Sequence, residues 1–423
     1  MPASSLAAVL VPALVPALVA VTIVPVASAA PQDLVGQYLP ATLPAVQHPG
    51  APVPQPFELD DYVGYISDIS SYPDGIYYSV VEGFNDLRDN HPEIIDQNLE
   101  TVVRYNTTAT PERIARAQAD ARVDDGDLLA NVSDAFGAEL GEYLRTAIAE
   151  NRLPKTRALL DSGYLSRAQG LAASTLIEKE IFDNPRPFEV APDRIVRHND
   201  GDEDFYDLGG SASFPSGHTS QATLVTTLLA TVLPELAPQL AARGSEAGES
   251  RVVMGVHYPL DVIGGRMTGT AAAADRWNDP KMRDALTQAG DEIRAELEWR
   301  TGMPLAQAVA EQDAAGLGYL SAADAVTVYA AQGTYGFGSV YDTDRAMNVP
   351  QGAPELLVNR FPELSWAQRA AVIAATALPS GSPLDRQVED AGGSWQRVNL
   401  AAAYAAEVSV AADGTLTVNG VAV

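Results

Sequence analysis

Three short clusters between Lys179 and Asp261 carry residue types that can hold and turn over an anion. They are Lys179 with Arg186-Pro187, then Pro215-Ser216-Gly217-His218, then Ser250-Arg251 with His257 and Asp261. Arg186 and Arg251 offer planar forks of N–H donors that match phosphate oxygens, and Lys179 adds a point charge. Any one of these cations alone reads equally as a solvated surface charge. For Arg186 that reading is weakened by Pro185 and Pro187, which stiffen the backbone on either side.

The tetrapeptide 215–218 precedes a stretch of helical composition and apolar spacing, 219–233. Its backbone amides therefore stand at a helix N-terminus, where unpaired N–H groups and the positive dipole end favour anions. Gly217 allows close approach and Ser216 adds a hydroxyl. Read alone, the same string is better taken as an N-cap serine and a glycine turn of no catalytic meaning, because such strings are common. In the third cluster Pro259 opens a helix, which puts Asp261 about one turn past His257. A carboxylate there accepts a hydrogen bond from one ring nitrogen, fixes the tautomer and leaves the other nitrogen as acceptor or nucleophile.

Together the clusters resemble the signature of the type 2 phosphatidic acid phosphatase (PAP2) superfamily, which includes class A bacterial acid phosphatases and vanadium haloperoxidases. The pattern K-x6-R-P, P-S-G-H, S-R-x5-H-x3-D is met at every position: Lys179, Arg186, Pro187; Pro215 to His218; Ser250, Arg251, His257, Asp261. The resemblance covers 120–275; the lead-in and everything past 300 lie outside it. It implies an all-α helical bundle and a two-step hydrolysis of phosphate monoesters. In that scheme His257 forms a phosphohistidine oriented by Asp261, and His218 serves as general acid and then base. Lys179, Arg186, Ser216, Gly217 and Arg251 hold the phosphate oxygens. No metal or other cofactor is implied. One histidine must start neutral and the other protonated, so a bell-shaped pH profile is expected.

The same anion cage serves vanadate in haloperoxidases and phosphate esters in lipid-phosphate phosphatases, so both remain alternatives. The short interval between His218 and Ser250 and the chain length favour a small-molecule acid phosphatase.

The remaining chain must position these groups. A length of 423 residues permits a large core, and a net charge of −28 argues against nucleic acid and anionic membrane surfaces as partners. The absence of cysteine excludes disulfides and thiolate metal sites. Residues 1–29, uncharged, apolar and ending Ala27-Ser28-Ala29, read as an export signal that directs the chain out of the cytoplasm. No later apolar run has membrane-spanning length. Residues 30–57 read as a Pro/Ala-rich lead-in, 58–300 as the catalytic domain and 301–423 as an extension of unassigned role.

Within 58–106 aromatic and polar residues mix irregularly, with a turn at 72–75. A capped helix starts at Thr110-Pro111. Residues 128–150 carry Leu129, Val132, Phe136, Leu140 and Leu144 at helical spacing, and 157–180 continues in the same style with Lys179 near its end. The acidic loop 198–210 is either solvated or a calcium site; its spacing does not match a helix-loop-helix calcium motif. Asn106-Thr107-Thr108 and Asn131-Val132-Ser133 fit the glycosylation triplet and carry little weight. Further helices separated by Gly-rich turns are expected over 305–375, a short helix at 398–406 and a small β-meander over 408–423.

Overall fold

A computed structural model describes residues 44–62, 64–67, 76–122, 128–161, 166–169, 172, 174–199, 206, 208, 210–389 and 392–423. The expected export signal 1–29, the first part of the lead-in, the turn at 72–75 and most of the acidic loop lie outside them.

Helix starts in this chain are written in capping residues. The Thr110 hydroxyl accepts a bond from the Arg113 amide at 3.2 Å, and Asp279 accepts from the Lys281 and Met282 amides at 2.9 and 3.2 Å. In both cases proline fills the first helical position, where a missing N–H costs nothing. The helices that frame the site are α1 (Pro92–Thr108), α2 (Pro111–Ala121), α3 (Leu176–Phe182), α4 (Pro187–Val190), α5 (Gly217–Val232), α6 (Ala237–Val253), α7 (Pro259–Asn278), α8 (Pro280–Thr301), α9 (Ala322–Thr334) and α10 (Leu400–Ala405).

The centre of the fold is α5, buried at every residue from Thr219 to Thr231. On a helix buried all round polar side chains must find partners inside the protein, and two of its threonines do so along the helix. Thr226 donates to the Ala222 carbonyl and Thr231 to the Thr227 carbonyl, each at 2.8 Å. Helices α6 and α7 pack against it. Contact with α7 is close because Gly265 and Gly269 face it: a Cβ at either would stand 2.5 Å from the Ser216 carbonyl oxygen or 2.4 Å from that of Ser220. Among the described residues no single helix is long and apolar enough to cross a membrane. The bent pair formed by α5 and Pro234–Val253 passes by composition alone, and its first helix is core.

The rest of the chain is docked onto this centre. Arg152 is wholly buried, pairs with Glu296 of α8 at 2.7 Å and donates to the carbonyls of Val46 and Pro52, pinning the described end of the lead-in. Beyond 300, α9 and α10 pack on α6, and Arg266 of α7 donates to the Tyr329 carbonyl at 2.7 Å. The chain ends in three antiparallel strands in the order β1 (Val408–Val410), β2 (Leu416–Val418), β3 (Val421–Ala422), the expected meander.

The fold is all-α with that one small sheet, as expected, but three helix boundaries differ from the sequence reading. Residues 128–150 do not form one helix: Leu128–Val132 runs into a 3₁₀ turn, and Gly137 at φ 87° starts a new helix, Ala138–Ala149. Residues 157–180 likewise divide, into Pro154–Leu160 and α3. Helix α1 occupies a stretch in which no helix was read. Asn106, in the first glycosylation-like triplet, is buried and donates to the carbonyls of Val196 and Val253 at 2.9 and 2.8 Å, so it serves the core.

Candidate active site

The three sequence clusters meet where the start of α5, the end of α6 and the start of α7 come together. Lys179 lies in the last turn of α3, buried, with its ammonium donating to the carbonyls of Ala212 and Ser213. Arg186 is the N-cap of α4, its amide held by the Glu189 carboxylate at 2.9 Å. Its guanidinium donates to Ser211 O at 2.7 Å, Val256 O at 2.9 Å and Ala212 O at 3.2 Å. Two cations thus shape the backbone of 211–213, which leads directly into the Pro215–His218 turn. Underneath, the Phe214 ring stacks on Phe84 with centroids 3.9 Å apart and meets Phe182 of α3 edge-on.

Ser216 caps α5 through its hydroxyl, which accepts from the Thr219 amide at 3.3 Å, and Gly217 is the first helical residue. The Ser216 amide donates to the Asp261 carbonyl at 3.0 Å. That single backbone bond ties the second cluster to the third. At the start of α7 the Asp261 carboxylate accepts from the Tyr258 amide at 2.8 Å and from His257 Nδ1 at 3.2 Å, both on Oδ2. Asn98 of α1 caps the next free amide, Leu260, at 3.0 Å. With Nδ1 committed to Asp261, the other nitrogen of His257, Nε2, faces Arg186 Nη1 at 3.3 Å. Arg251 stands in the last turn of α6, buried, and His218 is half-buried with its ring bonded to the backbone of Ala121.

The charges of these groups act on one another. Burial, then the charges of Arg186, Lys179 and Arg251, push His257 well below its ordinary value. Burial and Arg251 do the same to His218. Lys179 is lowered by burial and by Arg186 and Arg251, while burial raises Asp261 against the pull of the Tyr258 amide and the cations. Depressed histidines among buried cations are the profile of a positively charged pocket suited to an anion.

The consequence is a stability that depends on pH. A histidine held below the unfolded value of 6.5 binds fewer protons folded than unfolded, so its contribution is complete above that value and is lost as pH falls. Asp261, held above its ordinary value, acts in the opposite sense, but two histidines oppose one carboxylate. The ligand-free protein is expected to lose melting temperature below about pH 6.5. Saturating phosphate, whose charge restores the histidine protons, should flatten that decline. A thermal scan series with and without phosphate checks both; a ligand-free curve level into the acid range contradicts the sign.

All eight expected site residues are thus placed around one locus. Ser250, part of the third cluster, points elsewhere: its hydroxyl donates to Asp120 at 2.6 Å and accepts from Arg113 at 2.9 Å. The sequence reading missed Asp120, an aspartate among many, which nothing local distinguishes. The groups present can bind a tetrahedral anion, offer it a tautomer-fixed imidazole and present a second imidazole to whatever leaves.

Comparison with known proteins agrees. The family model described as the PAP2 superfamily matches residues 161–283. A non-specific acid phosphatase of Providencia stuartii is 32% identical over 182 residues, which span 43% of this chain and 67% of that protein. Another, from Salmonella typhi, is 31% identical over 171 residues, 40% of this chain and 64% of that protein. A third, from Salmonella typhimurium, is 34% identical over 120 residues, 28% of this chain and 46% of that protein. Matching stretches of this length, on an all-helical fold whose three clusters converge, show that the chain belongs to the PAP2 superfamily.

Proposed function

We propose that the chain is an acid phosphatase that hydrolyses small phosphate monoesters through a phosphohistidine on His257. The observation that carries the proposal is His257 itself, buried, with Nδ1 bonded to Asp261 and Nε2 facing Arg186. A neutral imidazole so held keeps its lone pair on Nε2, directed into the space where the cations gather a phosphate.

In the first step Nε2 bonds to phosphorus as the ester P–O bond breaks, and His218 gives its proton to the departing oxygen. In the second His218 takes a proton from water, whose oxygen attacks phosphorus and displaces Nε2. Lys179, Arg186 and Arg251, with the Gly217 amide and the Ser216 hydroxyl, stabilise the equatorial oxygens as charge redistributes. Burial and Arg251 push His218 toward its neutral form, and the negative charge of the bound ester is what allows it to carry the proton it must give. No metal takes part in this scheme. In this reading the export pattern of 1–29 directs the enzyme out of the cytoplasm, toward soluble esters in the medium or envelope.

Hydrolysis of p-nitrophenyl phosphate by the purified chain, from acid to neutral pH with EDTA present, tests this. Nitrophenol release unaffected by the chelator, with a bell-shaped profile, is the expected result. Release abolished by EDTA and restored by a metal, or no release at all, overturns the proposal.

A further inference from the structure

Behind the candidate site lies a buried ionic network that the proposed mechanism does not use. Its centre is Asp120, 3% exposed, in the last turn of α2. Its carboxylate accepts from both terminal nitrogens of Arg243, whose Nε donates to Asp134 at 2.9 Å. It also accepts from the Ser250 hydroxyl at 2.6 Å, and Arg116 stands 3.8 Å away. Ser250 in turn accepts from Arg113, which pairs with Glu249 at 3.0 Å. Burial works against the charge on Asp120, but Arg243 and the Ser250 hydrogen bond outweigh it and hold the carboxyl below its ordinary value.

Two consecutive residues of α2 thus reach two different parts of the site. Asp120 holds Ser250, the chain neighbour of Arg251, while the backbone of the next residue, Ala121, holds the His218 ring. Arg251 belongs to the group that holds phosphate, and His218 is the one that protonates the leaving oxygen. The end of α2 therefore reaches the His218 ring directly and Arg251 through its chain neighbour.

We infer that Asp120 is a positioning residue that sets the general acid His218 against the cation Arg251, acting through Ala121 on one side and Ser250 on the other. It touches neither substrate nor phosphorus. The inference rests on the acid-phosphatase proposal, and it explains why the residue before Arg251 is a serine whose hydroxyl faces away from the phosphate.

The test compares two esters. p-Nitrophenyl phosphate departs as a stabilised phenolate that needs little protonation, whereas an alkyl phosphate such as glycerol phosphate depends on the general acid. In the full-length chain, Asp120→Asn keeps size but removes the charge that orders the network and turns one of its two accepting oxygens into a donor. If Asp120 positions His218, kcat on the alkyl ester falls roughly tenfold more than kcat on the nitrophenyl ester, since a displaced general acid forfeits part of a 10²–10⁴ contribution. Loss of folded protein alone lowers both equally, and equal losses overturn the inference. Should Asp120→Asn not fold, Ser250→Ala decides: inhibition by orthovanadate is expected to weaken several-fold as Arg251 loses its anchor, and wild-type inhibition overturns the inference. A wild-type chain that hydrolyses neither ester fails the acid-phosphatase proposal itself, whereas an active wild type with equal losses in the variant fails only the role of Asp120.

Discussion

A His257→Ala enzyme is expected to form no phosphoenzyme and to lose at least on the order of 10⁴-fold in kcat, as nucleophile removals do. The expectation follows from how narrowly the ring is set. Asp261 Oδ2 is already fixed by the Tyr258 amide at 2.8 Å, so the acceptor that Nδ1 finds at 3.2 Å cannot swing away. The tautomer is therefore decided by the first turn of α7 and not by the substrate. Removing the ring leaves the cations, the Gly217 amide and Asp261 in place, so phosphate binding should survive while covalent transfer does not. Rapid alkaline quench with radiolabelled substrate reads the phosphoenzyme directly, since the N–P bond survives base and not acid, and phosphate protection in a thermal scan reads binding. Turnover near wild type in this variant would remove His257 from the mechanism, whatever the fate of binding.

The second large effect belongs to Arg251. Its replacement by alanine is expected to lower kcat/KM by roughly 10²- to 10³-fold, about 3–4 kcal/mol of transition-state stabilisation, the range found for a donor aimed at developing charge. Arg186 donates to three backbone carbonyls, at Ser211, Ala212 and Val256, and truncating it strands them in a buried place. A loss in Arg186→Ala therefore mixes catalysis with folding. For Arg251→Ala, steady-state kinetics on p-nitrophenyl phosphate with a parallel melting curve separate the two, and a loss under tenfold places Arg251 outside the pocket. The histidines supply an internal control, because Arg251 contributes to depressing both.

How far could these arrangements be read from the chain? Where the determining contacts are local, far enough. Thr110 with Pro111, and Pro259 with Asp261 two positions on, encode their helix starts within a few residues, and the alternation at 408–423 gave its meander. The clusters were legible because the chemistry fixes residue type and spacing together. What failed was what depends on distant partners. Gly137 breaks the expected 128–150 helix because Gln312, far along the chain, finishes both ends of the break. Its amide nitrogen donates to Phe136 O at 2.7 Å, and its oxygen accepts from the Glu139 and Leu140 amides at 3.0 and 3.2 Å.

Helix α1 escaped for a related reason. Its buried face includes Asn98, Thr101 and Asn106 beside Ile94 and Val102, so a hydrophobic period is interrupted by polar residues whose partners lie on α7, on 196 and at the end of α6. Asp120 is the extreme case. Its meaning comes from Ser250 and Arg243, more than a hundred residues away, and no window of sequence contains both.

The docking of the last quarter of the chain bears on how modular this protein is. Tyr404 of α10 shares a hydrogen bond with Thr231 of α5 at 3.2 Å, Asn359 donates to the Thr231 carbonyl at 2.8 Å, and Tyr329 lies against Arg266. Thr231 lies at the far end of the helix that starts from the Pro215–His218 turn, and Arg266 lies five residues past Asp261 on α7. Residues past 300 are consequently an outer layer of the interior, not a detachable appendage.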